Sequence, residues 1–153
     1  MDQEAIRDYV ASAFSGVDVT IASKESGAPE LAWGDTFFIY DPRHDLPPSR
    51  QFPFATIVTK DYGEFDSASR LDRPGVFRLN IGVSKKTFQS LFPHDDAHDF
   101  TALDTLMPHP VYAENHFVCV LNPSEATFDK LKPLLVEAYQ IAVARVENRS
   151  SKR

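Results

Sequence analysis

Between Phe77 and Val83 apolar and polar residues alternate strictly, with Phe77, Leu79, Ile81 and Val83 on one side and Arg78, Asn80 and Gly82 on the other. A period of two is that of a strand with one buried face. At Ser84 the period changes. Its hydroxyl can cap a helix by accepting a main-chain N–H hydrogen bond two or three residues on, and Phe88, Leu91 and Phe92 follow at helical spacing. The pattern predicts a central strand running into a short helix folded back over the sheet. Burying each large apolar strand residue contributes about 1.5–3 kcal/mol, which makes this unit a candidate core.

The remaining pattern predicts elements on either side. Residues 2–14 read as a helix capped by Asp2, with Ile6, Val10, Ala13 and Phe14 as its apolar stripe and Gly16 ending it. Val17, Val19 and Ile21 alternate as a first strand. A second spans 31–40, with Gly34 as a candidate bulge, and a third spans 54–59. The stretch 42–53 between them is rich in proline, which lacks the amide a sheet ladder needs, so it reads as a long loop. Residues 61–73 are polar, and Asp66-Ser67 can start a helical turn. Thr101 with Asp104 three residues on resembles a capping box, predicting a short helix through Leu106. Residues 111–121 read as the last extended segment, with Phe117, Cys119 and Leu121 on one face. A closing helix spans about 127–146 on the stripe Phe128, Leu131, Leu135, Ala138 and Ala142, interrupted by Pro133. Strands outnumber helices without alternating with them regularly. The order predicts an α+β domain over 1–147, mainly an antiparallel sheet with helices on one face, followed by a frayed polar tail at 148–153.

Composition narrows the classes. A chain of 153 residues with 42% apolar and 25% charged residues suits one globular domain. The formal net charge of -6 opposes nucleic acid phosphates and anionic lipid, because like charges repel without a segregated basic patch. The single cysteine, Cys119, excludes an internal disulfide. No apolar run is long enough to span a membrane, and the acidic beginning lacks a signal core, so the expectation is a cytoplasmic protein.

The strings GDTFFIYDP, PFATIVT, RPGVFRLNIGV, LMPHPVY and VCVLNPSEAT resemble an uncharacterised bacterial family known only as a domain of unknown function, over nearly the whole chain. More distantly, the second half is similar to the MmcQ/YjbR-like proteins, which share a frataxin-like (CyaY-like) α+β fold. In those proteins a strand and short helix precede a strand carrying a His–aromatic pair, then a long final helix. The pair here is His116-Phe117, where the relatives usually have His-Trp, and Asn80 stands where they usually have lysine. The resemblance implies a fold and supplies no established activity. The DNA-binding role proposed for the wider family is opposed here by the missing lysine and the acidic balance.

Candidate chemistry is sparse. No serine sits in a nucleophile elbow, and no carboxylates are visibly paired on one element. His94 and His98, among three aspartates, have the chemistry of zinc or nickel ligands; a solvated loop is the competing reading. The junction 82–87 places main-chain amides at a helix start, where an anion or plain solvent fits. Cys119 falls on an apolar face and reads as a buried hydrophobe. Arg78 and Asn80 share the polar face of the central strand, within reach of proline-flanked His109. If that face is covered, both need partners, for which Asp72, Asp104 and His109 are candidates. If it lines a groove, the three can hold a small polar or anionic ligand. The leading expectation is a small soluble binding or interaction domain without catalytic residues or cofactor, its partner a small molecule or a protein. A small-molecule binder or enzyme using Arg78, Asn80 and His109 is the alternative, and a nucleic-acid module ranks last.

Overall fold

The computed structural model describes the backbone of residues 1–151 and the side chains of residues 1–148. Its first helix, α1 (Gln3–Ala13), starts where the Asp2 carboxylate accepts the Ala5 N–H at 2.8 Å. The helix ends before Gly16, whose φ of +74° only glycine adopts without strain. Six strands follow: β1 (Val17–Ile21), β2 (Thr36–Tyr40), β3 (Ala55–Val58), β4 (Arg78–Gly82), β5 (Met107–Pro108) and β6 (Phe117–Leu121). They form one antiparallel sheet in the order β1-β2-β3-β4-β6-β5. Between β4 and β5 lies the short α2 (Lys85–Leu91), capped by Ser84 through the Thr87 N–H at 3.1 Å. The chain closes with α3 (Glu125–Ser151), which carries Pro133 without breaking. The fold is α+β.

The strand period decides which residues meet. Phe38, Ala55, Ile57, Leu79, Ile81, Val118 and Val120 bury one sheet face against Ile6 and Val10 of α1 and Phe128, Leu131, Leu135 and Ala138 of α3. The opposite face is covered too, by loops instead of helices. There Val58, Leu71, Met107, Cys119 and Leu121 form a second, smaller cluster beneath the connections 59–77 and 100–116. The central strand is therefore buried on both sides, Arg78 and Asn80 included, where its alternation predicted one buried face. Alternation reports side-chain polarity, and polar side chains buried with partners leave the same pattern.

Other expectations also change. β2 begins at Thr36, not at 31, because residues 30–32 form a 3-10 turn and Gly34 adopts a φ of +91° in a turn, not a bulge. The helix expected from Thr101 to Leu106 is absent. Thr101 donates to Asp99, and Asp104 has a left-handed φ of +56° and accepts the Ser124 N–H at 2.7 Å. Asp66-Ser67 starts no helix. The extended segment expected over 111–121 is only β6, since a 3-10 turn at Ala113–Asn115 and a left-handed His116 precede it. α3 runs on to Ser151, past the expected end near 146. The tail set at 148–153 lies partly outside the described residues.

Candidate functional site

The loop-covered face of the sheet holds a polar network that lines a cavity of about 840 Å³, which also extends to α3, where Ala138, Ile141 and Ala142 line it. Register builds it. Thr56 of β3 stands opposite Asn80 of β4, and the Asn80 Nδ2 donates to the Thr56 hydroxyl at 3.0 Å. Two residues back on the same face is Arg78, fully enclosed. Its Nε donates to Asn80 Oδ1 at 2.8 Å. Its Nη1 donates to Asp66 Oδ1 and to the Ser69 hydroxyl, both at 3.0 Å, and its Nη2 donates to Asp66 Oδ2 at 2.5 Å. This fork-to-fork geometry matches the planar guanidinium to a carboxylate.

Asp66 and Ser69 are carried by the 59–77 loop, and a second buried carboxylate fixes that loop. Asp35, at the start of β2, accepts the Thr59 N–H and hydroxyl at 2.9 Å each and the Tyr62 hydroxyl. Burial, then the carboxylate accepting its proton, raises the Tyr62 hydroxyl above its ordinary value, so it stays a donor. Leu71 anchors the far end of the loop in the smaller cluster.

His109 follows β5 directly and is brought over the network by the Phe117 carbonyl, which accepts its N–H at 2.9 Å. Its ring Nδ1 accepts two main-chain donors, the Val111 N–H at 3.0 Å and the Tyr112 N–H at 2.9 Å. A neutral imidazole has one acceptor nitrogen, so its hydrogen sits on Nε2. Nε2 lies 3.2 Å from Arg78 Nη2, which also carries hydrogens. Two donors thus face each other at the floor. Burial, then the Arg78 charge, holds the imidazole well below its ordinary pKa against the pull of Asp66, which keeps it neutral.

The mouth is aromatic. Phe52, Phe65 and Tyr112 all line the cavity and are exposed, Phe65 to 63%. Phe65 meets Tyr112 edge to face at 6.1 Å. Phe117 lies along the wall, and Gly82 opposite it makes room, since a Cβ there would come within 3.0 Å of the ring. Arg50 and, from α3, Arg145 also line the cavity, and both are exposed.

The structure thus brings Arg78, Asn80 and His109 together. The aspartate partner is Asp66, not Asp72 or Asp104, which are exposed and accept the main-chain N–H groups of Asp61 and Ser124. Asp66, Thr56 and the aromatic rim escaped the sequence reading. A buried strand arginine announces that a carboxylate is needed, but residues 61–72 hold four acidic residues, Asp61, Glu64, Asp66 and Asp72, and no periodicity in the loop selects one. His94 is exposed, and His98 packs between the Phe92 and Phe100 rings. Among the described residues no three His, Cys, Asp or Glu side chains gather as a metal site. Cys119 is buried, and desolvation pushes its thiol up to about 12, which leaves no thiolate for nucleophilic chemistry. No described helix is long and apolar enough to cross a membrane.

The model of a family of unknown function, DUF6194, matches residues 1–151. No curated protein and no solved structure matches the chain.

Proposed function

Because the chain belongs to DUF6194, a family of unknown function, we propose from the site alone that it binds a small molecule with a flat apolar body in the cavity on the loop-covered sheet face. The observation that carries this reading is the pairing of an exposed aromatic mouth with an enclosed polar floor. Binding sites for small molecules are concave, mostly apolar, and orient their ligand with a few fixed polar groups. Exposed rings cost solvation, and stacking on a planar ligand recovers it. A concave site of this kind favours a small molecule over a protein partner. Arg78 orients the floor instead of touching the ligand, because Asp66, Ser69 and Asn80 already accept four of its hydrogens.

The same proposal includes a bacterial, cytoplasmic protein of the frataxin-like class, related to the MmcQ/YjbR-like proteins. The order helix, antiparallel sheet, closing helix supports the fold assignment. A single buried, reduced cysteine supports the compartment.

The test uses 8-anilinonaphthalene-1-sulfonate, a fluorescent probe with a planar naphthalene core, with the wild type and the Phe65→Ala, Tyr112→Ala double variant. Both positions are exposed, so the variant folds with an unchanged melting temperature. The expected result is micromolar probe binding that weakens about tenfold in the variant, the scale of losing two aromatic contacts. Equal binding by both proteins would place the probe elsewhere and refute the reading.

A further inference from the structure

At the floor of the cavity three donor hydrogens, on Asn80, Thr56 and His109, face no acceptor among the described residues. Asn80 Nδ2 has two hydrogens and gives one to Thr56, leaving the second without a partner among the described residues. The Thr56 hydroxyl accepts that bond, and its own hydrogen has no acceptor there. His109 Nε2 carries the ring hydrogen, since both main-chain donors point at Nδ1, yet its neighbour at 3.2 Å is a guanidinium nitrogen that is also a donor. The Asp66 oxygens face the Arg78 fork instead, each taking one of its hydrogens. All of these side chains line the cavity, and Asn80 and His109 are each exposed to 3%.

An acceptor placed there would satisfy several hydrogens at once. An ammonium or another donor would add to the surplus and leave buried N–H groups facing N–H groups, which costs the full desolvation of each. We infer that the ligand enters with an acceptor oxygen foremost, a carbonyl or carboxylate, received by His109 Nε2–H together with the spare hydrogens of Asn80 and Thr56. This rests on the cavity being the binding site, and it adds the chemistry of the ligand's inner end. A neutral imidazole fixed by main-chain donors on one nitrogen is an effective donor on the other, because it cannot become an acceptor without losing those bonds. The paired charges of Arg78 and Asp66 leave the floor close to neutral, so a ketone or aldehyde oxygen is admitted as well as a carboxylate.

The experiment compares four probes on one skeleton by isothermal titration: 2-naphthoate, 2-acetonaphthone, 2-naphthylmethylamine and naphthalene. The first two are expected to bind about tenfold or more tighter than the last two, the scale of one or two well-made hydrogen bonds. Thr56→Val, which keeps the shape and removes one donor, should weaken 2-acetonaphthone about threefold or more and leave naphthalene unchanged. Nitrogen-15 spectra of the unliganded protein should show the His109 hydrogen on Nε2, a readout that needs no mutation. Equal binding of all four probes, or a hydrogen on Nδ1, overturns the acceptor inference and leaves the cavity reading standing. Failure of all four to bind overturns the cavity reading and this inference with it.

Discussion

Arg78 and Asp66 meet through two parallel hydrogen bonds, Nη1 to Oδ1 at 3.0 Å and Nη2 to Oδ2 at 2.5 Å, inside a face of the sheet that no helix covers. The pair ties the connection 59–77 onto β4 and so builds the cavity floor. Buried pairs contribute little relative to an apolar replacement, yet losing one partner strands a charge. Arg78→Ala should therefore cost about 3–5 kcal/mol in chemical denaturation. The double variant Arg78→Met, Asp66→Leu should recover most of that loss. A double variant no more stable than Arg78→Ala would show that the ion pair is not the source of the cost.

Protonation of His109 makes stability depend on pH. The groups facing it are Arg78 from β4, which opposes the imidazolium, and Asp66 from the loop, which favours it. Its folded pKa lies near 3 against an ordinary 6.5, so the unfolded chain binds the proton first as pH falls. The stability it contributes is complete above about 6.5 and declines as pH drops toward about 3, by about 1.4 kcal/mol per unit. His109→Gln should flatten the denaturation midpoint between pH 5 and 6.5 relative to the wild type. An equal slope in both proteins would assign the dependence to other groups.

Asp35 is the hinge pin of the same loop. Asp35→Ala removes the acceptor of the Thr59 N–H, the Thr59 hydroxyl and the Tyr62 hydroxyl. Each buried donor left unmade costs about 1–3 kcal/mol. The variant should exchange the amides of 59–66 faster in hydrogen-exchange measurements, and probe binding in the cavity should weaken in step. Unchanged protection would mean that the apolar anchors hold the loop without Asp35.

Leu79 lies at the centre of the helix-covered core and is fully enclosed. Leu79→Asp places an unpaired charge there, which is incompatible with the folded state at neutral pH. Circular dichroism should show no cooperative melting transition. A variant that melts near the wild type would reverse the assignment of the two faces.

With a net charge of -6, duplex DNA should not bind usefully. Fluorescence anisotropy at low salt should stay flat up to tens of micromolar protein. Micromolar affinity that falls steeply with added salt would reveal a basic patch strong enough to overcome the net charge.

Local pattern determined the elements whose periods are long and unbroken. The stripe of α3, the Asp2 and Ser84 caps and the alternation of β4 are properties of residues near one another in the chain, so their neighbours in sequence reveal them. The grouping of Arg78 with Asn80 was also legible, since residues two apart on a strand share a face. The rest was decided by tertiary structure. Thr101 and Asp104 satisfy a capping pattern, yet each side chain finds a different partner once β6 and α3 are in place. Asp66 is chosen over its acidic neighbours because the loop ends are fixed elsewhere, by Asp35 and Leu71. Thr56, Asn80, His109 and the rings of Phe65 and Tyr112 meet only because antiparallel register and three loops bring distant segments to one side of the sheet. Hydrogen bonds and cavities depend on positions in space to within an ångström, and a linear pattern carries only the period of burial.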